Sequence, residues 1–496
     1  MPSNLRHLAP PEPEGVSSKL GSQIVRRLEA EILDAGWIRG RRLGGEEELA
    51  RRFGVSRAIM REAAAMAELN GLVESRRGHS GGLFVAASAQ WVAVSTLRHY
   101  LVLSGTASSE INEIRFLVQR RASMFAMRNM DPQSALRLRS LLQVRSDNFR
   151  DLVRSQRLAL GEIHRLAGLR TLGLFELALG ESSLDQLLWT GASKADVARL
   201  AAAVWDVRRR QVEAIIAADP VAALRAQQRI LSLYQREHQR LARFGRVGEA
   251  SPGGVESRSL AFMRDDLVPM KKPEAVARVI ARRIVESRAR AGERIGSEQD
   301  IMRDLEVSRG VVREAVRSLE RHGIVVLERG FAGGIHVGRP APDEAVRVAR
   351  MYLSRELQGD QSAVLHVALA LQMMAAEFAA RRAQAEDASL FERLAQFSAQ
   401  IEVEPANPRT QLISNYLILA ELSGSRVLDC LMRILVDHVE VRVDEARFDD
   451  QMLRESQRGL VGAIANGDAP LARRYLLATH KASGVESPPS GYPDDL

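Results

Sequence analysis

Hydrophobic residues recur at helical spacing along most of the chain, which predicts a mainly α-helical protein. In one segment the apolar positions fall at i, i+3, i+4 and i+8, and they are Val276, Val279, Ile280 and Ile284. Ile24, Leu28 and Ile32 form a similar stripe near the start of the chain. Each stripe predicts an amphipathic helix that packs one face against a core.

A short helix and a longer helix are predicted after each stripe. The short helices are expected at 46–53 and 298–305, with acidic residues in the first turn, where the helix dipole favours them. The longer helices are expected at 57–70 and 309–322. Ser56 and Ser308 precede them at good N-cap positions, and Gly71 and Gly323 end them.

A β-hairpin is predicted after each longer helix. The first strands are Leu72–Ser75 and Ile324–Leu327. Arg-Gly and Gly-Gly pairs follow them and lead to second strands that end at Val85 and Val337. Three helices followed by such a wing are typical of a winged helix-turn-helix domain, here called a head.

The two heads are copies of one module. Val55-Ser56-Arg57 returns as Val307-Ser308-Arg309, a shift of 252 positions. The same shift pairs Arg61-Glu62-Ala63 with Arg313-Glu314-Ala315, and about 14 of the 32 positions from 54 to 85 are identical. Because this period is far longer than a solenoid repeat, it indicates a duplicated multi-domain module.

The segments between and after the heads lack strand patterns and are rich in Leu, Ala and Arg, which predicts two all-α helical bundles of six or seven helices each. Gly- and Pro-rich stretches mark the linker and the final tail. The predicted division is a disordered tail at 1–16, winged helix-turn-helix 1 at 17–87, helical effector and dimerisation domain 1 at 91–244, a linker at 245–270, winged helix-turn-helix 2 at 271–339, helical domain 2 at 343–483 and a disordered tail at 484–496.

The formal net charge of +8 is concentrated in the heads. Residues 17–87 hold 12 basic and 9 acidic side chains, and residues 271–339 hold 15 and 10, so the two windows account for the whole excess. Two basic segments on a neutral scaffold indicate two contacts with a polyanion. The single cysteine, Cys430, excludes a disulfide within the chain and is expected to be a small core residue.

Double-stranded DNA is the polyanion that this pattern favours. Arg57 and Arg61 lie four residues apart near the start of the longer helix, so both project from one face, and Arg309 and Arg313 repeat the arrangement. Arginine suits forked contacts with guanine or phosphate in the major groove. The candidate DNA-binding residues are Ser56, Arg57, Arg61, Arg77, Gly78, Ser308, Arg309, Arg313, Arg329 and Gly330, with Arg77 and Arg329 placed at the wing tips.

These elements resemble the heads of the GntR family of bacterial regulators. The Val-Ser-Arg and Arg-Glu-Ala motifs, the following glycine and the wing all match over about 70 residues per head. The short helix departs from the family's Ser-Glu-Arg, with Gly45-Glu46-Glu47 in one head and Ser297-Glu298-Gln299 in the other. The resemblance implies a transcriptional regulator, by default a repressor, with operator DNA as partner. It also implies a pseudo-dimer within one chain, with or without further pairing of two chains.

The helical domains resemble, more faintly, the FadR-like effector domain of that family. Many members hold a metal with one Asp and three His, but only His164 survives in the first domain, where the other positions are Leu160, Arg208 and Ile230. In the second domain they are Leu412, Tyr416, Gln457 and Thr479, with His480 one place away. One histidine cannot hold a transition metal, so no metal and no other cofactor is expected.

A small-molecule effector is the remaining candidate ligand. Glu113, Arg115 and His164 form a set that could bind an anion such as a carboxylate. Leu365, Val367 and Tyr416 stand at the same offsets in the second domain, which predicts a more apolar cavity there. The alternative is that these are ordinary residues of a dimerisation bundle.

Other classes of protein fit the sequence less well. No Walker loop, G-x-S-x-G, H-E-x-x-H or helix-opening G-x-G-x-x-G motif occurs, so an enzyme is not expected. No apolar run approaches the length of a membrane span, and the first residues lack a signal-peptide pattern, so a cytoplasmic protein without a membrane partner is expected. An architectural or co-regulatory DNA-binding protein without an effector remains the alternative to a specific regulator.

Overall fold

The computed structural model describes residues 16–35, 38–69, 72–76, 78, 81–86, 89–143, 145–189, 192–244, 272–287, 289–321, 323–328, 333–339, 341–356, 361–402, 408–436 and 443–485. The chain forms two compact units, Met1–Thr96 and Leu97–Leu496. The predicted linker and most of both predicted tails lie outside the described residues. As expected, the fold is mainly α-helical, with two small sheets in the heads.

The first unit contains the first head, whose described elements are α1 (Val16–Asp34), β1 (Arg42–Gly44), α2 (Glu46–Phe53), α3 (Arg57–Leu69), β2 (Val73–Arg76) and β3 (Gly82–Val85). Helix α4 (Ala89–Leu103) runs from this unit into the next. The predicted short helix matches α2, and the apolar stripe of α1 is buried at Ile24, Leu28 and Ile32.

The second unit contains the rest of the chain. Its first helical bundle comprises α4, α5 (Ser108–Arg128), α6 (Pro132–Leu141), α7 (Phe149–Leu166), α8 (Arg170–Trp189), α9 (Lys194–Ile216) and α10 (Pro220–Phe244). The second head comprises α11 (Lys272–Ser287), β4 (Arg294–Gly296), α12 (Glu298–Leu305), α13 (Arg309–Arg321), β5 (Val325–Glu328) and β6 (Gly334–Val337). The second bundle comprises α14 (Asp343–Glu356), α15 (Gln361–Gln384), α16 (Ala388–Glu402), α17 (Pro408–Ser423), α18 (Arg426–Leu435), β7 (Val443–Phe448), α19 (Asp450–Ala465), α20 (Ala469–Ala482) and β8 (Ser483–Val485).

Each wing is a three-stranded antiparallel sheet rather than a hairpin alone. The strand orders are β1-β3-β2 and β4-β6-β5, so a strand before the short helix joins the predicted hairpin. The glycines of the wings have a steric reason: a Cβ on Gly82 would lie 2.5 Å from the carbonyl oxygen of Gly44, and one on Gly334 would lie 2.8 Å from that of Gly296. Only glycine lets the edge strand approach this closely.

Helix α11 is buried on two sides. One face supplies Val276, Ile280 and Ile284 to the core of the second head, as the stripe predicts. Residues 275–281 are nevertheless all buried, including Arg278 at 1% exposure. In the first head the counterparts Gln23, Arg26 and Arg27 are exposed. The outer face of α11 is therefore covered within the second unit.

A buried ion-pair triad lies on that outer face. The Arg278 guanidinium donates to Asp185 Oδ1 of α8 at 2.6 Å, and Arg98 Nε of α4 lies 3.5 Å from Asp185 Oδ2. The three side chains are between 1% and 7% exposed. Because buried charges are retained only when they are paired, this triad ties the second head to the first helical bundle.

Helix α15 of the second bundle contains a long apolar stretch. The stretch Val364–Gln384 of α15 is long and apolar enough to cross a bilayer, but 72% of its most apolar window is buried inside the protein. Because most of it is buried, this stretch is a core helix of the protein.

Strands β7 and β8 of the second bundle form an antiparallel pair that the helical pattern does not predict.

Candidate functional site

Helices α3 and α13, here called the reading helices, begin at Arg57 and Arg309. Ser56 caps α3 through its Oγ, which accepts from the Ile59 backbone N–H at 3.3 Å. At the equivalent start of α13, the Ser308 backbone carbonyl accepts from Val312 N–H at 3.2 Å. Within α3 the inner residue Met60 is buried, so the arginines beside it project outward.

In the first head, each reading arginine has its own carboxylate on α2. Arg57 forms an ion pair with Glu47, and Arg61 Nε lies 3.3 Å from Glu46 Oε2. The arginine side chains stay 66% and 72% exposed. They are available to a ligand because exposed ion pairs contribute about 0–1 kcal/mol.

In the second head, two arginines share one carboxylate. Arg309 Nε and Arg313 Nε each lie 3.3 Å from Glu298 Oε2, and their side chains are 64% and 53% exposed. The predicted pairing of arginines on one face is therefore present in both heads. The acidic first turns of the short helices were expected from the helix dipole alone, but their carboxylates also pair with the arginines.

The wing residues are described only in part. Gly78 is exposed with φ of 118°, which a glycine adopts readily at a wing tip. Arg77, Arg329 and Gly330 lie outside the described residues, so their contribution stays a prediction. Beside them, the Arg76 guanidinium lies 4.4 Å from the centre of the Phe84 ring.

A buried polar cluster lies inside the first helical bundle, and we call it the polar cluster. Arg115 Nε and Gln119 Nε2 both donate to Glu176 Oε1, at 2.8 and 2.7 Å. Arg208, which is 1% exposed, donates to Gln119 Oε1 at 3.3 Å and also to Gln211 Oε1. These contacts join α5, α8 and α9.

His164 of α7 belongs to the same cluster. Burial lowers the pKa of His164 to about 4; Glu176 opposes the change, and Arg208 and Arg115 add to it, so the ring is neutral at pH 7. Burial also lowers the pKa of Arg208 to about 10, which still leaves it charged. Burial alone would lower the pKa of Arg115, but Glu176 raises it above its usual value.

Several polar atoms of the polar cluster have no hydrogen-bond partner among the described residues. They are both ring nitrogens of His164, Glu176 Oε2, Arg208 Nε and Gln211 Nε2. Buried polar groups normally find partners, and an unpaired one costs about 1–3 kcal/mol. With two arginines and one glutamate, the cluster carries a net charge of +1.

The predicted effector residues are placed in two locations. Arg115 and His164 lie in the polar cluster, whereas the Glu113 side chain forms an ion pair with Arg381 of α15. Gln119 of α5, Glu176 of α8 and Gln211 of α9 were missed because no sequence pattern links positions on three separate helices. In the part of the chain that the structure describes, no three His, Cys, Asp or Glu side chains converge in a way that could hold a metal ion.

The second bundle also buries polar side chains. His480 Nε2 lies 2.5 Å from Gln372 Oε1, and burial lowers the pKa of His480 to about 4. The Tyr416 hydroxyl and both amide atoms of Gln457 have no partner among the described residues. This interior is uncharged at these positions, and a cavity more apolar than that of the first domain stays a prediction.

Two heads with outward arginine pairs on reading helices define a winged helix-turn-helix DNA-binding protein. The family model described as "Bacterial regulatory proteins, gntR family" matches residues 20–85 and again residues 272–337. Both heads are therefore gntR-family DNA-binding domains, repeated in tandem along the chain.

Comparison with solved structures finds matches of low identity. Streptococcus agalactiae GntR is 19% identical over 44% of this chain and 99% of its own, with a TM-score of 0.28. E. coli McbR/YncC is 18% identical over 45% of this chain and 98% of its own, with a TM-score of 0.23. TM-scores this low mean poor superposition, so the family of the heads is assigned from residues 20–85 and 272–337, which the family model matches. No curated protein matches the chain.

Proposed function

We propose that this chain is a sequence-specific transcriptional regulator that reads one operator with both heads, with repression by operator occupancy as the simplest outcome. The observation that carries the proposal is the matched pair of exposed arginines at the start of each reading helix, Arg57 with Arg61 and Arg309 with Arg313. A helix in the major groove uses such N-terminal residues to reach base edges.

The operator is expected to be an imperfect palindrome. The four arginines read similar core bases in the two half-sites, while Ala58-Ile59 in one head and Gly310-Val311 in the other shift the flanking preference. Selection from random DNA tests this. A perfect palindrome that did not change when those residues were exchanged between heads would contradict the expectation.

The alternative is an architectural DNA-binding protein without sequence preference. A footprint at one site that persists against excess random duplex supports the regulator, because sequence-independent binding is lost to the competitor. A footprint that disappears at the same rate at every site would favour the architectural role.

We also propose that the two modules act as a pseudo-dimer. Arg121 of α5 lies 4.0 Å from the Met373 sulfur of α15, and these positions are separated by 252, the shift of the repeat. A residue that meets its own counterpart is expected on a two-fold axis. Nearby, the Phe125 and His366 rings pack edge to face at 5.6 Å.

A second contact supports the same pairing. Glu110 Oε1 of α5 accepts from Ser425 Oγ at 2.7 Å and from the Val427 backbone N–H at 3.1 Å. A carboxylate there stabilises the N-terminus of α18, because the helix dipole favours negative charge. The first bundle thus completes the N-terminal cap of a helix in the second, as one subunit of a dimer does for another.

The polar cluster is proposed as the site of a small anionic effector. Its net charge of +1 and the unpartnered donors of Arg208 and Gln211 suit a carboxylate, which would accept from both. Helix α8 carries Glu176 of the cluster and Asp185 of the ion-pair triad. An anion that displaces Glu176 from Arg115 would therefore act on the helix that holds the second head.

Thermal unfolding with acetate, succinate and citrate tests the effector site. We expect at least one of them to raise the melting temperature of the wild-type protein, since a ligand that binds only the folded state stabilises it. Arg208→Gln should abolish that rise. This variant places in the cluster the residue type found at the equivalent position of the second bundle, Gln457. Equal stabilisation of Arg208→Gln would place the anion elsewhere.

A further inference from the structure

The two heads differ in the acidic residues next to the reading arginines. Glu47 of the first head corresponds to Gln299 of the second at the shift of 252. In the first head two carboxylates face two arginines, so the group is neutral. In the second head one carboxylate, Glu298, serves both arginines, so the group carries a charge of +1.

We propose that Glu47 is a residue that lowers the affinity of the first head for DNA. This rests on the DNA-binding function proposed above. A head that presents one positive charge fewer neutralises less of the phosphate backbone and releases fewer counterions, which lowers affinity for every sequence.

The position of Glu47 explains why its charge reaches the DNA. Its side chain is 61% exposed and forms an ion pair with Arg57. Both belong to a surface pocket of about 310 Å³, which is lined by Glu47, Ala50, Arg51, Gly54, Val55 and Arg57. When Arg57 turns from Glu47 to the DNA, the carboxylate remains on the reading face and repels the phosphates.

The contrast between the heads also separates two effects of acidic residues. Glu46 and Glu298 occupy the same position, and each pairs with the second reading arginine, Arg61 or Arg313. Glu47 has no acidic counterpart at its own position. When Arg57 turns to a base, the ion pair of Glu47 is broken, whereas Glu298 still pairs with Arg313 when Arg309 leaves it.

The test compares Glu47→Gln with the reciprocal Gln299→Glu in the full chain. With binding measured at several salt concentrations on the selected operator and on random duplex, Glu47→Gln should tighten both complexes roughly three- to tenfold at 0.1 M salt and steepen the salt slope by about one. Gln299→Glu should weaken both by a similar factor.

The matched control is Glu213→Gln on α9, which removes another exposed carboxylate, paired with Arg139 at 3.0 Å, from the helical bundle. We expect it to leave affinity and slope unchanged. If the wild-type chain binds no duplex, the proposed function itself fails. If it binds and Glu47→Gln behaves like Glu213→Gln, only the role of Glu47 is overturned.

Discussion

Asp185→Asn is expected to destabilise the second unit by about 3–5 kcal/mol, because it removes the carboxylate that two buried guanidinium groups share. Asp185 accepts from Arg278 at 2.6 Å and faces Arg98, and all three side chains are buried. Asparagine keeps the size of the side chain, so the loss reports the missing charge rather than a cavity. Urea unfolding followed by circular dichroism measures the change.

The second head should lose its attachment in the same variant. We expect faster hydrogen exchange in α11, which includes Arg278, since its outer face is buried only while the triad holds. Combining Asp185→Asn with Arg278→Met should recover part of the stability, because one of the two buried guanidinium groups that faced Asp185 is also removed.

The first head supplies the matched control. Arg26 stands at the position of Arg278 but is exposed, so Arg26→Met should change stability by no more than about 0.5 kcal/mol. If Asp185→Asn were as mild as Arg26→Met, the second head would not be held by this triad.

A large loss of DNA binding is expected when one head is disabled. Arg309→Ala alone should weaken operator binding on the order of tenfold, because a forked contact with guanine contributes about 1–3 kcal/mol of discrimination. Arg309→Ala with Arg313→Ala should weaken it by 10²-fold or more, since the remaining head also loses the gain from intramolecular bivalency of about 10²–10⁴.

Binding to random duplex distinguishes base contacts from nonspecific electrostatic attraction. The double variant should lose much less affinity for random DNA than for the operator, because only base contacts carry sequence information. Arg210→Ala, which removes an exposed arginine from α9, is the control and should leave both affinities unchanged. Operator binding that survived the double variant intact would make the second head a structural relic.

The heads could be predicted almost completely from the sequence. The strong local signals, such as the Val-Ser-Arg motif and the apolar stripe of α11, give the short helices and the arginine faces directly. Strands β1 and β4 were not predicted because three residues show no periodicity and pair only through tertiary contact. Paired carboxylates on α2 and α12 were visible in the sequence, but their partners depend on how two helices pack.

The polar cluster and the triad were beyond sequence reasoning for a different reason. Gln119, Glu176 and Arg208 lie on separate helices, and Arg208 was noticed only as a position where a metal ligand is missing. A signal for docking of the second head was present, since Ala275 and Val279 replace Gln23 and Arg27 on the outer face of the first helix. What such an apolar face packs against cannot be derived from periodicity.

The mass of the protein–operator complex, measured by light scattering at low concentration, tests the central claim most directly. If the chain is a pseudo-dimer that reads one operator with both heads, the complex contains one chain per duplex, and protection extends over both half-sites. Two chains on each duplex, with four heads and a single half-site protected by each chain, would contradict it.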